Sequence, residues 1–260
     1  MQIQLREKTM NLGNFGIEIE MYNVDSSLVA YQLTSAGIPC NVEGYNHTTR
    51  GHWKIVGDGS ISGQGACELV SPVLNGADGL AQIDRVCRVL EANNAKVNKS
   101  CGLHVHHDAN GFTADSLKKV VKTYARIETM VDGFMPMSRR GSRSYYAKSV
   151  IGIDYDRHIE NGGIEGGYRY YKVNCQSFYR HGTVEFRQHS GTVDADKIKN
   201  WVLFTALVVE KARGRVASDK VLDRWVDVKW FLNITTDRCD QIIKDMVEFY
   251  TARRAHFARA

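Results

Sequence analysis

Proline is scarce, with 3 among 260 residues, so Pro-rich linkers and low-complexity joints are not expected. The six cysteines (Cys40, Cys67, Cys87, Cys101, Cys175 and Cys239) contain no Cys-x-x-Cys pair, which removes support for a zinc knuckle. No secretory signal is read in the chain, so reduced thiols in a soluble, intracellular protein are the expectation. The longest apolar stretch, around Val202–Val209, is interrupted by Thr205. It falls far short of the ~20 residues a membrane span requires. Charge of one sign does not dominate either: 34 Lys and Arg stand against 29 Asp and Glu, a net +5 without a clear basic stripe. That mild excess favours phosphate-bearing partners but makes no nucleic-acid footprint. With 43% hydrophobic and 24% charged residues, the composition is that of a globular chain and excludes a disordered or fibrous one.

Helical periodicity predicts four helices, over Asp78–Val97, Thr113–Met135, Asp194–Val216 and about Thr236–Ala258. Thr113 or Ser116 suits the start of the second, and Asp194 and Asp196 suit that of the third. Strands are expected at Asn14–Met21, Trp53–Val56, Ala66–Ser71, Gly102–His107, Tyr168–Tyr179 and Thr183–His189. Glycine-rich loops are expected at Gly57–Gly65 and Gly162–Gly167. Without a strict β-α-β rhythm, this predicts a single α+β domain (1–260) around an antiparallel sheet.

Side chains on a strand alternate between faces. In Phe15–Met21 the apolar residues share one face while Gly16, Glu18 and Glu20 share the other, the two acids about 6–7 Å apart. In Leu103–His107, Leu103 and Val105 oppose His104 and His106. In Thr183–Arg187, Val184 and Phe186 oppose Glu185 and Arg187. Taken singly, each of these pairs is what a solvated face or a surface ion pair would show. Their coincidence predicts one shared surface bearing Glu18, Glu20, His104, His106, Glu185 and Arg187, if the strands are neighbours. Asp58, in a Gly-rich turn, reads equally as a turn former. Glu68 shares a face with Val70, so alternation gives it no special support. Carboxylates with one or two imidazoles suit hard divalent cations, Mg²⁺ or Mn²⁺, better than zinc.

The ordered segments Phe-Gly-Ile-Glu-Ile-Glu, Trp-Lys-Ile-Val-Gly-Asp-Gly-Ser-Ile, Glu-Leu-Val-Ser-Pro-Val-Leu, Cys-Gly-Leu-His-Val-His, Asn-Cys-Gln-Ser-Phe and Thr-Val-Glu-Phe-Arg cover about residues 13–215. Together they resemble the amidoligase family of the glutamine synthetase-like carboxylate–amine ligases. The resemblance implies a glutamine synthetase-like catalytic domain, a curved antiparallel sheet backed by helices. It implies that Glu20 and Glu68, with Asp58, hold one metal ion, and that Glu18, His104 and Glu185 hold another. It implies catalytic roles for Glu185, Asp58 and Arg187, and substrate contacts for His106 and Asn174. In Ser138–Arg143, Arg139 and Arg140 fit a phosphate clamp better than Arg143, and Arg187 would join them at the nucleotide. Tyr145, Tyr146, Tyr170 and Tyr171 read as packing rather than stacking groups.

The activity so implied is ATP- and Mg²⁺-dependent amide-bond formation through an acyl phosphate. It would join an amine to a carboxylate carried by a small molecule, a peptide or a modified nucleobase. The setting would be cytoplasmic, in a bacterium or a virus-infected host cell, with no membrane partner and with a homo-oligomer compatible. A metal-dependent phosphotransferase of the same superfamily and a basic nucleic-acid-binding protein are the alternatives. Residues after 215 carry no recognised motif.

Overall fold

The computed structural model describes residues 12–160, 167–214, 220–234 and 240–259. Eight strands form one open sheet: β1 (Asn14–Met21), β2 (Cys40–Val42), β3 (Trp53–Val56), β4 (Cys67–Val70), β5 (Leu74–Asn75), β6 (Gly102–Asp108), β7 (Val173–Asn174) and β8 (Thr183–Ser190). Their order is β2-β3-β4-β1-β6-β8-β7, with β5 extending beside β1. Every pairing is antiparallel except β2 with β3, so the sheet is mixed rather than purely antiparallel. The parallel pair forms across a loop of only ten residues, 43–52, pinned by Glu43 against Arg50 and His52.

Eight α-helices occur among the described residues: α1 (Ser26–Ser35), α2 (Gly76–Ala92), α3 (Ala114–Asp132), α4 (Tyr155–Glu160), α5 (Gln176–His181), α6 (Ala195–Arg213), α7 (Trp225–Phe231) and α8 (Gln241–Ala258). The four long periodic segments are α2, α3, α6 and α8; positions 215–219 and 235–239 lie outside the described residues. The caps follow the expected chemistry: Thr113 accepts from the Ser116 amide and Asp194 from the Lys197 amide. Helix α1, which periodicity does not predict, is short and buries only Val29, Ala30 and Leu33. Its start is fixed by Asp25, which accepts from the Ser27 and Leu28 amides.

The segment predicted as a strand over Tyr168–Tyr179 is instead a 3-10 turn (Gly167–Tyr170), the two-residue β7, and α5. Its aromatic, β-prone composition loses to local geometry. Asn174 accepts from the Gln176 amide and so turns the chain into α5, and Gly182, with φ 66°, ends that helix. The expected loop at 162–166 lies outside the described residues.

One face of β1 supplies Phe15, Ile17, Ile19 and Met21 to a contiguous apolar cluster running from Leu12 to Tyr250. Val105, Val184, Phe186 and the buried faces of α2, α3 and α6 join it. The segment after 215 closes its far side: Phe134, Phe204, Trp225 and Tyr250 pack ring against ring, with centroids 4.6–6.4 Å apart. The described cysteines Cys40, Cys67, Cys87, Cys101 and Cys175 are buried and unpaired, and burial pushes the thiols of Cys40, Cys87 and Cys175 up to about 12. None of those three is a ready nucleophile. No described helix is long and apolar enough to cross a membrane.

Strand β8 carries a bulge. Val105 pairs with Phe186 but Leu103 pairs with His189, so β8 spends one more residue than β6 over that interval. The extra residue changes the phase of the strand. It places His189 beside Trp201 of the core, 5.5 Å between ring centroids.

The Tyr250 hydroxyl is buried in this core without a hydrogen-bond partner among the described residues. Tyr250→Phe should leave the denaturant midpoint unchanged or raise it, whereas Tyr250→Ala should cost about 3–5 kcal/mol. Burial also holds the imidazoles of His107 and His189 neutral, down to about 3, with His106 adding to the effect at His107 and Arg253 at His189. The unfolded chain takes up these protons near pH 6.5 and the folded chain does not. Stability should therefore fall as pH drops from about 6.5 towards 3, by up to ~1.4 kcal/mol per pH unit per histidine. Urea titrations of His189→Gln should show a shallower decline; an unchanged slope would refute the assignment.

Candidate functional site

Sheet register, not a loop, assembles the site. Glu18 on β1 stands opposite His104 on β6, Glu20 opposite Glu68 on β4, and His106 opposite Glu185 on β8. Directly opposite residues lie on the same face, so three two-residue patterns distant in sequence become one array. The His104 ring is its centre. Its Nδ1 lies 2.9 Å from Glu18 Oε2 and 3.5 Å from Glu185 Oε1, and its Nε2 lies 3.4 Å from Glu20 Oε1. His106 Nε2 approaches Glu18 Oε1 at 3.3 Å while its Nδ1 meets the Thr183 hydroxyl at 3.0 Å.

Two triads of donor atoms result, Glu18–His104–Glu185 and Glu20–Glu68–His104, each with its atoms within 4.8 Å of one another. They share His104, which turns one ring nitrogen towards each. The electrostatics of the two differ. Burial pushes the Glu18 carboxyl up, but the imidazoles of His106 and His104 outweigh it and hold it well below the usual carboxylate range. Burial likewise opposes ionisation of Glu185, and Arg187 with both imidazoles overcomes it. Glu68 has no such relief: burial and then the charges of Glu18 and Glu20 drive its carboxyl well above the usual range. An acid crowded by acids is what a site built for an added cation looks like. Oxygen donors with one imidazole per triad fit Mg²⁺ or Mn²⁺.

Neighbouring groups lock these side chains in place. The Gly102 amide donates to Glu20 Oε2 at 2.5 Å. A Cβ at Gly102 would sit 2.9 Å from His104 Nε2, so the site requires glycine there. Asn174 donates to Glu185 Oε2 at 2.5 Å and accepts from the Gln176 amide, so it orients Glu185. Arg187 is ion-paired with Glu185 and donates to the Tyr146 carbonyl.

Around the array the cleft has two lobes. The first, about 520 Å³, is walled by Arg139, Arg143, Arg169, Arg180 and Arg187, with Tyr45, Tyr145, Tyr146 and Tyr170 among them. The second, about 370 Å³, lies towards the start of β1 and the end of β6. Arg139 is buried and donates to the Cys101 carbonyl. Arg140, expected beside it at a phosphate, turns elsewhere. It donates to the Met135 carbonyl and lies over the Phe257 ring, while Arg143 lines the cleft. Consecutive residues leave a 3-10 turn in different directions, which the spacing of the motif does not reveal. Asp58 lies in the cleft wall but belongs to neither triad; its carboxylate accepts from the Ser60 amide as a turn former does. Tyr145, Tyr146 and Tyr170 do pack together, 5.2–5.3 Å between centroids, at the cleft rim.

Arg169 and Arg180 are not among the residues predicted for the site: Arg169 falls in the segment read as a strand, and Arg180 just past its end. Helical spacing is the signal that finds one of them: Gln176, Ser177, Arg180 and His181, one turn apart on α5, all face the cleft.

A buried ion network stands behind the arginine loop. Lys172, fully buried, reaches Glu128 at 2.8 Å and Asp132 at 2.7 Å. Glu128 also accepts from the Val150 amide, Asp132 from Gly141, and Gln188 bonds Asp132, Tyr124 and the Arg139 carbonyl. The network thus ties α3 and β8 to both ends of segment 139–150.

A comparison with family models gives a match described as "putative amidoligase enzyme" over residues 13–158 and 153–209. The chain belongs to this family, whose description is that of a ligase. A comparison with the curated proteins finds no match.

Removing Lys172 would strand a buried carboxylate. Lys172→Met should cost about 3–5 kcal/mol in chemical denaturation, and adding Glu128→Gln to it should recover a large part. Gly102→Ala should cost about 1–3 kcal/mol in chemical denaturation, because the added methyl must displace the His104 ring.

Proposed function

We propose that the protein is an ATP-dependent carboxylate–amine ligase built on a glutamine synthetase-like catalytic domain, working through an acyl phosphate. The observation that carries the reading is the pair of triads sharing His104, with five arginines on one side. Acids that crowd one another are costly to hold without cations, and arginines so placed match the oxygens of a polyphosphate. Family membership adds the reaction class, C–N bond formation.

Divalent cations at the two triads would supply charge neutralisation for the phosphates and the transferring phosphoryl group. In this reading Glu18, His104 and Glu185 hold one cation and Glu20 with Glu68 the other, because a neutral imidazole has one lone pair to give and its second nitrogen donates a hydrogen bond. Asn174 keeps Glu185 aimed, and Gly102 keeps Glu20 and His104 in register. Arg187, tied to Glu185 and to the Tyr146 carbonyl, presents its remaining guanidinium N–H groups towards the polyphosphate lobe, where they stabilise charge as it shifts. Arg139, Arg143, Arg169 and Arg180 bind and orient the polyphosphate. The substrate carboxylate oxygen attacks the γ-phosphorus and ADP departs, and the resulting acyl phosphate is then open to an amine. Asp58 shapes the turn at the cleft wall.

The test is incubation with ATP, Mg²⁺ and pooled carboxylates and amines. ADP release that depends on both pools, together with an amide product by mass spectrometry, is the expected result. A stable phosphorylated acceptor without amide would make the protein a phosphotransferase instead. The double change Glu18→Gln with Glu20→Gln should abolish metal-dependent turnover, a loss of at least 10³-fold on the scale of transition-state charge stabilisation, while circular dichroism stays unchanged.

A further inference from the structure

The second lobe of the cleft differs from the first in charge. Glu18, His47, Glu68, His106 and His181 line both lobes and so mark the junction between them. None of the five arginines reaches the second lobe. Its one lysine, Lys54, is buried, with its ammonium held by the Asn46 carbonyl, the Asn46 side chain and the Thr48 carbonyl at 2.8–2.9 Å. No lysine or arginine among the described lining residues is therefore open to an anion.

The far end of this lobe carries a further acid. Asp108 closes β6 on the face that bears His104 and His106. Its carboxylate accepts from the Asn110 amide at 3.0 Å and has no cationic partner among the described residues. It lies four residues beyond His104 and in neither triad, so its charge is not committed there. The apolar part of the lining comes from Gly16, Val70, Pro72 and Val73, with Thr48, Thr49, Ser71 and Thr183 beside it. A Cβ on Gly16 would meet only ordinary contacts, Ser71 Oγ at 3.6 Å and His106 Cβ at 3.8 Å. The absent side chain is therefore space left to the lobe, not a demand of packing.

We propose that this lobe is the amine subsite, shaped for a primary amine on a short apolar stem, preferably one ending in a second cationic group held by Asp108. Amines bearing a carboxylate or sulfonate are rejected, because the lobe offers such a group an acid and no open lysine or arginine. A volume of about 370 Å³ lies at the small end of ligand pockets and suits a metabolite-sized amine. The inference rests on the ligase reading for the chemical step: the amine nitrogen forms its bond to the acyl carbon at the junction, from the side away from the arginines, and the acyl C–O bond to phosphate breaks. Of the ammonium's three protons, one stays on the amide, one leaves on hydrogen phosphate and one passes to water.

Binding can be read without turnover. Calorimetric titration of the full chain with Mn²⁺ present should show 1,5-diaminopentane binding more tightly than pentylamine, and no heat from glutamate or taurine at the same concentrations. Asp108→Asn should weaken the diamine at least tenfold and leave pentylamine within about threefold. Gly16→Val should weaken both at least tenfold, while Gly16→Ala, which fits without a clash, verifies that the fold is kept. Equal or tighter binding of the anionic amines, absence of binding by either amine, or indifference to Gly16→Val would each overturn the proposal. Diamine binding with this dependence, in a protein that releases no ADP with any carboxylate pool, would keep the subsite and remove the ligase.

Discussion

Mutual repulsion among buried carboxylates is the constraint on which this molecule turns. Four glutamates from three different strands are brought to one small volume, and at Glu68 desolvation and like charge both oppose ionisation. The imidazoles of His106 and His104, with the Arg187 guanidinium, relieve that cost at Glu18 and Glu185 and leave it standing at Glu68. The cleft is thereby built around a deficit of positive charge at its centre and an excess of it on one flank. Both the proposed chemistry and the difference between the two lobes derive from that arrangement.

Such an array needs a scaffold that cannot yield. The sheet provides most of it, because cross-strand register fixes where each acid points to within the freedom of a side chain. The remainder comes from interactions beneath the surface. Lys172 with Glu128 and Asp132 anchors the arginine-bearing segment to α3, and the aromatic packing of Phe134, Phe204, Trp225 and Tyr250 anchors α3 in turn. Residues beyond 215, which carry no chemical motif, thus contribute to the site through the rigidity of the helix behind it.

The central array is legible in the sequence because β-strand alternation is a strict code. Glu18 with Glu20, His104 with His106 and Glu185 with Arg187 can be assigned to one face each without knowledge of any pairing. What alternation cannot give is depth, or direction at the edges. Glu68 looks undistinguished beside Val70, and only its pairing with Glu20 reveals its place. Arg140 and Asp58 bear the right chemistry in the right segment, but a 3-10 turn points the first away and an Asx turn occupies the second. The misassignment at Tyr168–Tyr179 has a single cause: tyrosines favour strands by composition, whereas Asn174 and Gly182 impose a helix between them through local hydrogen bonding and a left-handed stop. The β8 bulge is invisible for a related reason, since an extra residue leaves no mark on a pattern read from one strand.

That bulge allows a single strand to serve two masters. Up to Arg187 its odd-numbered side chains face the acids; past the dislocation, Gln188 braces the arginine segment and His189 slots into the hydrophobic interior. Chemistry and architecture are coupled there through one inserted peptide unit. A lineage that lost this unit would keep His189 opposite Leu103 in the core but would lose a residue between Phe186 and His189, either the cleft guanidinium of Arg187 or the brace of Gln188, so the length of β8 there should be among the least negotiable dimensions of the protein.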